Sequence, residues 1–140
     1  MEFQNPQKIV VGQKLPSIVK SIDQEKIDTY GKAQGENDRI HHDPAWAAKH
    51  SIFGGTIAQG LMSMAFISQM ITSYFGIGWV DESELEVKFL YPVRPGDLIS
   101  TQGVVVERTK APNGELIVCD LQCINQDHQT VLSGQAKINI

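Results

Sequence analysis

The stretch Thr56-Ile-Ala-Gln-Gly-Leu-Met-Ser-Met-Ala-Phe-Ile-Ser-Gln-Met-Ile-Thr-Ser-Tyr-Phe75 decides the fold. As a helix, its apolar residues Ile57, Ala58, Leu61, Met62, Met64, Ala65, Phe66, Ile67, Met70 and Ile71 cover most of the circumference. A surface helix carries one apolar stripe, so this one is expected to be buried nearly all round. Gln59, Ser63, Ser68, Gln69, Thr72 and Ser73 interrupt it and make it a poor membrane span. Thr56 followed three residues later by Gln59 has the spacing of a capping box, which would open the helix there. A buried helix in a chain of 140 residues needs something wrapped around it.

The second half supplies the wrapper. Leu85, Val87 and Phe89 alternate with Glu84, Glu86 and Lys88, the period of a half-buried strand. Further strands are expected over 98–107, 116–125 and 130–140. Pro112-Asn113-Gly114 and Asn125-Gln126-Asp127-His128 have hairpin-turn chemistry, and Pro92 to Asp97 reads as a bend. One long apolar helix followed by antiparallel strands that curl around it is the α+β hot-dog arrangement. The length fits one domain, 1–140.

Upstream, Pro16 to Ile22 reads as a short first strand. Ser21 with Gln24 forms a second capping-box pattern before a helix over 23–33, with Ile27 and Tyr30 facing inward and Gly35 ending it. Asp43 is expected to cap a short helix that begins at Pro44.

Composition excludes several function classes. The net charge is −4 and no basic cluster occurs, which argues against nucleic acid as a partner. Met1 to Val11 lacks a basic segment followed by an apolar one, so it does not read as a signal peptide. The only cysteines, Cys119 and Cys123, lie four residues apart on an expected strand, about 13 Å and too far to bridge each other. These readings favour a reducing, cytoplasmic setting and no membrane association.

The segment Gly35-Glu-Asn-Asp-Arg-Ile-His-His-Asp43 gathers three carboxylates and two imidazoles. Adding water to a double bond needs one group to take a proton from water and one to give a proton to carbon. Glu36 and His41 are spaced to converge on one water, and a carboxylate beside an imidazole stabilises its imidazolium form. The plainer reading of such a loop is solvated surface, with Asp43 serving only as a helix cap. His41 and His42 point differently as neighbours, and no third residue has metal-ligand spacing, so no metal is expected. At Gly54 to Gly60 the helix start offers unpaired backbone N–H groups that suit a thioester oxygen becoming enolate-like. The plainer reading there is a tight turn and cap. Gly60, just inside the expected helix, costs up to ~1 kcal/mol relative to Ala, which points to close packing or to a close-approaching ligand.

In this order the pieces resemble the MaoC-like and (R)-specific enoyl-CoA hydratases. Their loop has the type Ser-Gly-Asp-x-Asn-Pro-(Ile/Leu)-His-x-Asp-Pro, and this chain reads Gln34-Gly-Glu-Asn-Asp-Arg-Ile-His-His-Asp-Pro44. Their glycine-rich turn corresponds to Phe53-Gly-Gly-Thr-Ile-Ala-Gln-Gly-Leu61, and their Lys-Phe-x-x-Pro-Val-x-Pro-Gly-Asp strand to Lys88-Phe-Leu-Tyr-Pro-Val-Arg-Pro-Gly-Asp97. The resemblance runs from about Gly12 to the C-terminus. It implies a lyase that adds water reversibly to a trans-2-enoyl-CoA, giving an (R)-3-hydroxyacyl-CoA. It implies His41 and Glu36 as the water-activating pair, Gly60 as the amide that binds the thioester oxygen, and Gly55 and Gln59 beside it.

Departures from the family pattern are specific. Glu36 stands for Asp, Asp38 for Asn, Arg39 for Pro and Gln59 for a frequent His. Asp38 is therefore an alternative acid/base carboxylate, and Arg39 suggests a substrate with an extra carboxylate. The implied partner is an acyl-CoA thioester, with no cofactor beyond the coenzyme A of the substrate, in a homodimer or larger homo-oligomer. Exposed sheet edges also favour pairing of copies. Two other readings stand beside this one: a hot-dog acyl-CoA thioesterase and a non-catalytic acyl-CoA-binding subunit.

Overall fold

A computed structural model describes residues 8–140. The signal-peptide reading of Met1 to Val11 and the N-terminal end of the expected domain thus fall partly outside the described residues. In chain order the elements are β1 (Val19–Ser21), α1 (Gln24–Gln34), α2 (Arg39–His42), α3 (Pro44–His50), α4 (Gly60–Phe75), a 3-10 turn (Ile77–Val80), β2 (Glu84–Phe89), β3 (Leu98–Ala111), β4 (Gly114–Ile124) and β5 (Thr130–Asn139). The strands form one antiparallel sheet in the order β1-β3-β4-β5-β2. It packs on α4 in the hot-dog arrangement. Ile67, Met70 and Ile71 of α4 are fully buried with Ile99, Val105, Ile117, Leu132 and Ala136 of the sheet. Each of these side chains larger than alanine contributes about 1.5–3 kcal/mol by leaving water.

Both hairpin turns form. Ala111 pairs with Gly114 across Pro112 and Asn113. At the other turn, Asn125 Oδ1 accepts from the N–H groups of Asp127 and Gln129, both at 3.0 Å. Cys119 and Cys123 are buried free thiols. No helix among the described residues is long and apolar enough to cross a membrane.

Three local expectations are corrected. The cap of α1 is Asp23, whose carboxylate accepts from Lys26 N–H at 2.8 Å. Ser21 instead accepts from the Lys26 ammonium at 2.8 Å. Helix α4 begins at Gly60, with no capping box, because tertiary partners claim both side chains of the pattern. Thr56 donates its hydroxyl to Gln24 at 2.7 Å, and Gln59 reaches Ile27 and Glu36. Residues 57 and 58 are tied to two neighbours: Ile57 N–H donates to Ile40 C=O at 3.2 Å, and Ala58 N–H to Val93 C=O at 2.7 Å. Finally, α4 is not buried all round. Leu61, Ala65 and Gln69, one turn apart, form an exposed stripe, with Leu61 59% exposed.

The bend between β2 and β3 is built around the nearly buried Asp97. Its carboxylate accepts from Arg94 N–H and from the Gln126 amide, both at 2.8 Å. Gly96, at φ +97°, takes a backbone shape costly for other residues. This bend fixes Val93, and through it the entry into α4.

Candidate functional site

The polar loop folds as two short helices. Asp38 caps α2, accepting from Ile40 N–H at 3.2 Å, and Asp43 caps α3, accepting from Trp46 N–H at 2.9 Å. The single turn of α2 carries His41. Its Nδ1 lies 2.7 Å from Ile57 C=O. A carbonyl only accepts, so Nδ1 carries a proton, and in that tautomer Nε2 is the nitrogen whose lone pair can act as a base. The peptide of His41 is pinned as well: the Gln24 side-chain amide donates to its carbonyl at 2.7 Å.

His41 borders a cleft of about 500 Å³ with Gly60, Leu61, Ser63, Phe89 and Tyr91, among otherwise apolar walls. The N–H groups of Gly60 and Leu61 open α4 and have no protein partner among the described residues. They carry the positive partial charge of a helix start. Gly60 is thus the first helical residue, where the interior glycine penalty does not apply. Its lack of a side chain has a visible packing reason, since a Cβ there would lie 2.9 Å from the Phe89 ring. Gly55 has open space around it and does not border the cleft.

Glu36 is not brought to His41. Its carboxylate accepts from His42 Nε2 at 2.7 Å, from the Gln59 amide at 3.0 Å and from Asp38 N–H. Burial would raise its pKa, but these hydrogen bonds and the charge on His42 outweigh it and hold the carboxyl at about 2. The expected convergence of Glu36 and His41 on one water is therefore replaced by a Glu36–His42 pair. Sequence reasoning missed His42 because neighbouring side chains diverge and only the path of α1 shows which one meets the carboxylate. Asp28, one turn after Gln24 on α1, was the missing signal.

The remaining candidates face elsewhere. Asp38 is exposed and serves as a cap. Arg39 is paired with Asp43 at 2.8 Å and lies over the Trp46 ring, 5.0 Å from its centroid, so it does not border the cleft. The Trp46 N–H bond, reinforced by that pairing, holds the Asp43 carboxyl below its ordinary pKa. Gln59 is nearly buried, its Oε1 without a partner among the described residues. No cluster of three or more His, Cys, Asp or Glu among the described residues could hold a metal ion.

Two curated relatives are both named nodulation protein N. The one from Rhizobium leguminosarum bv. viciae is 31% identical over 94 residues, covering 62% of this chain and 57% of that protein. The one from Rhizobium meliloti (strain 1021) is 35% identical over 98 residues, covering 64% and 60%. The chain thus spans less than two thirds of either. Among solved structures, the unliganded R-hydratase PhaJ1 of Pseudomonas aeruginosa superposes with a TM-score of 0.80 at 26% identity, covering 95% of this chain and 83% of that one. The MaoC-like domain model matches residues 2–120. With the sheet, the central helix and the His41 cleft arranged as described, the chain belongs to the MaoC-like dehydratase family.

Proposed function

We propose that this domain hydrates trans-2-enoyl-CoA thioesters reversibly to (R)-3-hydroxyacyl-CoAs, with His41 as the acid/base group. The observation that carries the reading is the His41–Ile57 hydrogen bond, which leaves Nε2 bare in the same cleft as the unpaired Gly60 N–H. Water loses a proton to Nε2 as its oxygen bonds to the β-carbon. The electrons of the double bond shift toward the thioester oxygen, which accepts from Gly60 N–H at the positive end of α4. The imidazolium then returns the proton to the α-carbon, and the net change is one water added. No metal or redox cofactor enters this sequence, and coenzyme A arrives with the substrate.

Glu36, held ionised and turned toward His42, serves as a charge anchor, not as a second base. The walls of the cleft favour an apolar acyl chain, and Arg39, engaged with Asp43 outside it, does not support an extra substrate carboxylate. The exposed Leu61, Phe89, Leu90 and Tyr91 beside the cleft suit a surface covered by a second copy, in a homodimer. The engagement of Glu36 also favours a second reading, an acyl-CoA-binding subunit without turnover.

The test is loss of enoyl absorbance with crotonyl-CoA and longer enoyl-CoAs, for the native chain beside His41→Ala and Glu36→Gln. Turnover abolished by His41→Ala in a folded protein supports the proposal. Saturable binding of CoA esters with no turnover supports the second reading. Release of free thiol with the enoyl absorbance intact would replace both by a thioesterase.

A further inference from the structure

The ring of His42 lies between two carboxylates from different elements. Nδ1 is 2.7 Å from Asp28 on α1, and Nε2 is 2.7 Å from Glu36 on the loop that follows. Carboxylate oxygens offer no proton, so each contact needs an N–H on the ring, and a neutral imidazole has only one. The geometry therefore calls for the imidazolium. The Asp28 hydrogen bond, opposed by burial and reinforced by Glu36, raises the His42 pKa above its ordinary 6.5. Its bonds to His42 and Gln24 lower that of Asp28.

The clamp is built into the fold. A Cβ on Gly31 of α1 would collide with the His42 ring, so the glycine makes room for it. Lys32 lines, with Asp28, Glu36 and His42, a shallow depression separate from the His41 cleft, and the His41 ring stands edge-on to His42, 6.0 Å between centroids. Helix α2 has four residues and buries none of them. Besides the His42 clamp, the ties that place it are the Ile57–Ile40 backbone bond, the His41–Ile57 bond, the Arg39–Asp43 pair, and Gln24, which donates both to Asp28 and to the His41 carbonyl.

We propose that His42 is a positioning residue: by bridging Asp28 and Glu36 it fixes α2 against α1 and so aims the adjoining His41 ring along Ile57 C=O into the cleft. The inference rests on the hydratase reading for its catalytic consequence. Loss of the second proton turns one ring lone pair toward a carboxylate, and that contact breaks. Because the folded pKa is raised, the clamp is intact below the ordinary histidine value and is lost as pH rises through the raised one.

Imidazole NMR titrations and kcat and KM profiles against pH with crotonyl-CoA, on the native chain, His42→Gln, Asp28→Asn and Gly31→Ala, test this. His42 is expected to titrate above 6.5, with kcat falling along the same titration. His42→Gln should lower kcat about 10- to 100-fold through misaim of His41, with KM within about two-fold, and should lack that alkaline limb. Gly31→Ala, which displaces the ring while keeping a good helix former in α1, should reproduce the loss. Asp28→Asn should move the limb to lower pH. The ring signals should show His41 as the Nδ1–H tautomer in the native chain and an averaged ring in His42→Gln. Titration of His42 at or below 6.5, a native kcat in His42→Gln, or an unchanged His41 tautomer overturns the proposal. If the native chain hydrates no enoyl-CoA, the hydratase reading fails by itself, and the placement of His41 by His42 is decided by the tautomer signals alone.

Discussion

Gln59 donates its side-chain amide to Glu36 at 3.0 Å and to the Ile27 carbonyl at 3.1 Å, joining the start of α4 to α1 and the polar loop. Both partners only accept, which fixes the orientation of the amide. Replacing it by Leu leaves a carboxylate and a buried carbonyl each short of a donor. Gln59→Leu should lower stability by about 1–3 kcal/mol, read from the urea midpoint. Gln59→Glu should cost more at neutral pH, where it sets a second carboxylate against Glu36, and recover as pH falls. A midpoint for Gln59→Leu equal to that of the native chain would remove this link from the account.

The pH dependence of stability follows from the same cluster. Glu36 is held at about 2, below its ordinary 4.5, so its contribution is present above 4.5 and is lost as pH falls toward 2. His42 is raised, so its contribution is present below 6.5 and is lost as pH rises through the higher folded value. Stability should therefore peak between these limits. Glu36→Gln should flatten the acid side and reduce the maximum by about 1–2 kcal/mol, a charge-assisted hydrogen bond discounted for partial exposure. Urea titrations at a series of pH values show whether the acid slope survives in Glu36→Gln, which would exclude Glu36 as its source.

Cys119 and Cys123 face the core, and burial pushes both thiols up to about 12. The reactive form is the thiolate, so native protein should resist a thiol reagent at pH 8 while unfolded protein reacts at both positions. Labelling at the rate of an unfolded peptide would contradict the packing of β4 against α4.

Patterns that repeat along the chain made the fold legible. The apolar density of residues 57–71 identifies α4, and alternation over 84–89 identifies β2. The caps were legible only where a residue had no better partner. Asp43, short-armed and followed by Pro44, caps as its spacing suggests. Thr56 and Gln59 have capping-box spacing, yet Gln24, Ile27 and Glu36 approach from 23 to 32 residues away in the chain and take both side chains. The site divides in the same way. His41 and Gly60 are recognisable by motif, whereas the partner of Glu36 depends on where Asp28 and Gly31 of α1 fall relative to His42. Local spacing carries no information about that contact.

The Gly60–Phe89 contact gives the most direct test of the cleft. The Phe89 ring passes close enough that a Cβ on Gly60 would sit 2.9 to 3.2 Å from three of its atoms. Phe89 is 55% exposed and can swing away, so Gly60→Ala should unfold little, by less than about 1 kcal/mol at a first helical position. The added methyl would nevertheless stand beside the N–H assigned to the thioester oxygen and push the ring into the cleft. kcat/KM for crotonyl-CoA should fall about 10- to 100-fold, because a donor aimed at developing charge is displaced. Adding Phe89→Ala to Gly60→Ala removes the collision and should restore part of KM but not kcat, if the methyl itself obstructs the oxygen. Full recovery of both in the double variant would mean that Gly60 is needed only to accommodate Phe89, and the Gly60 amide would lose its place in the proposed reaction.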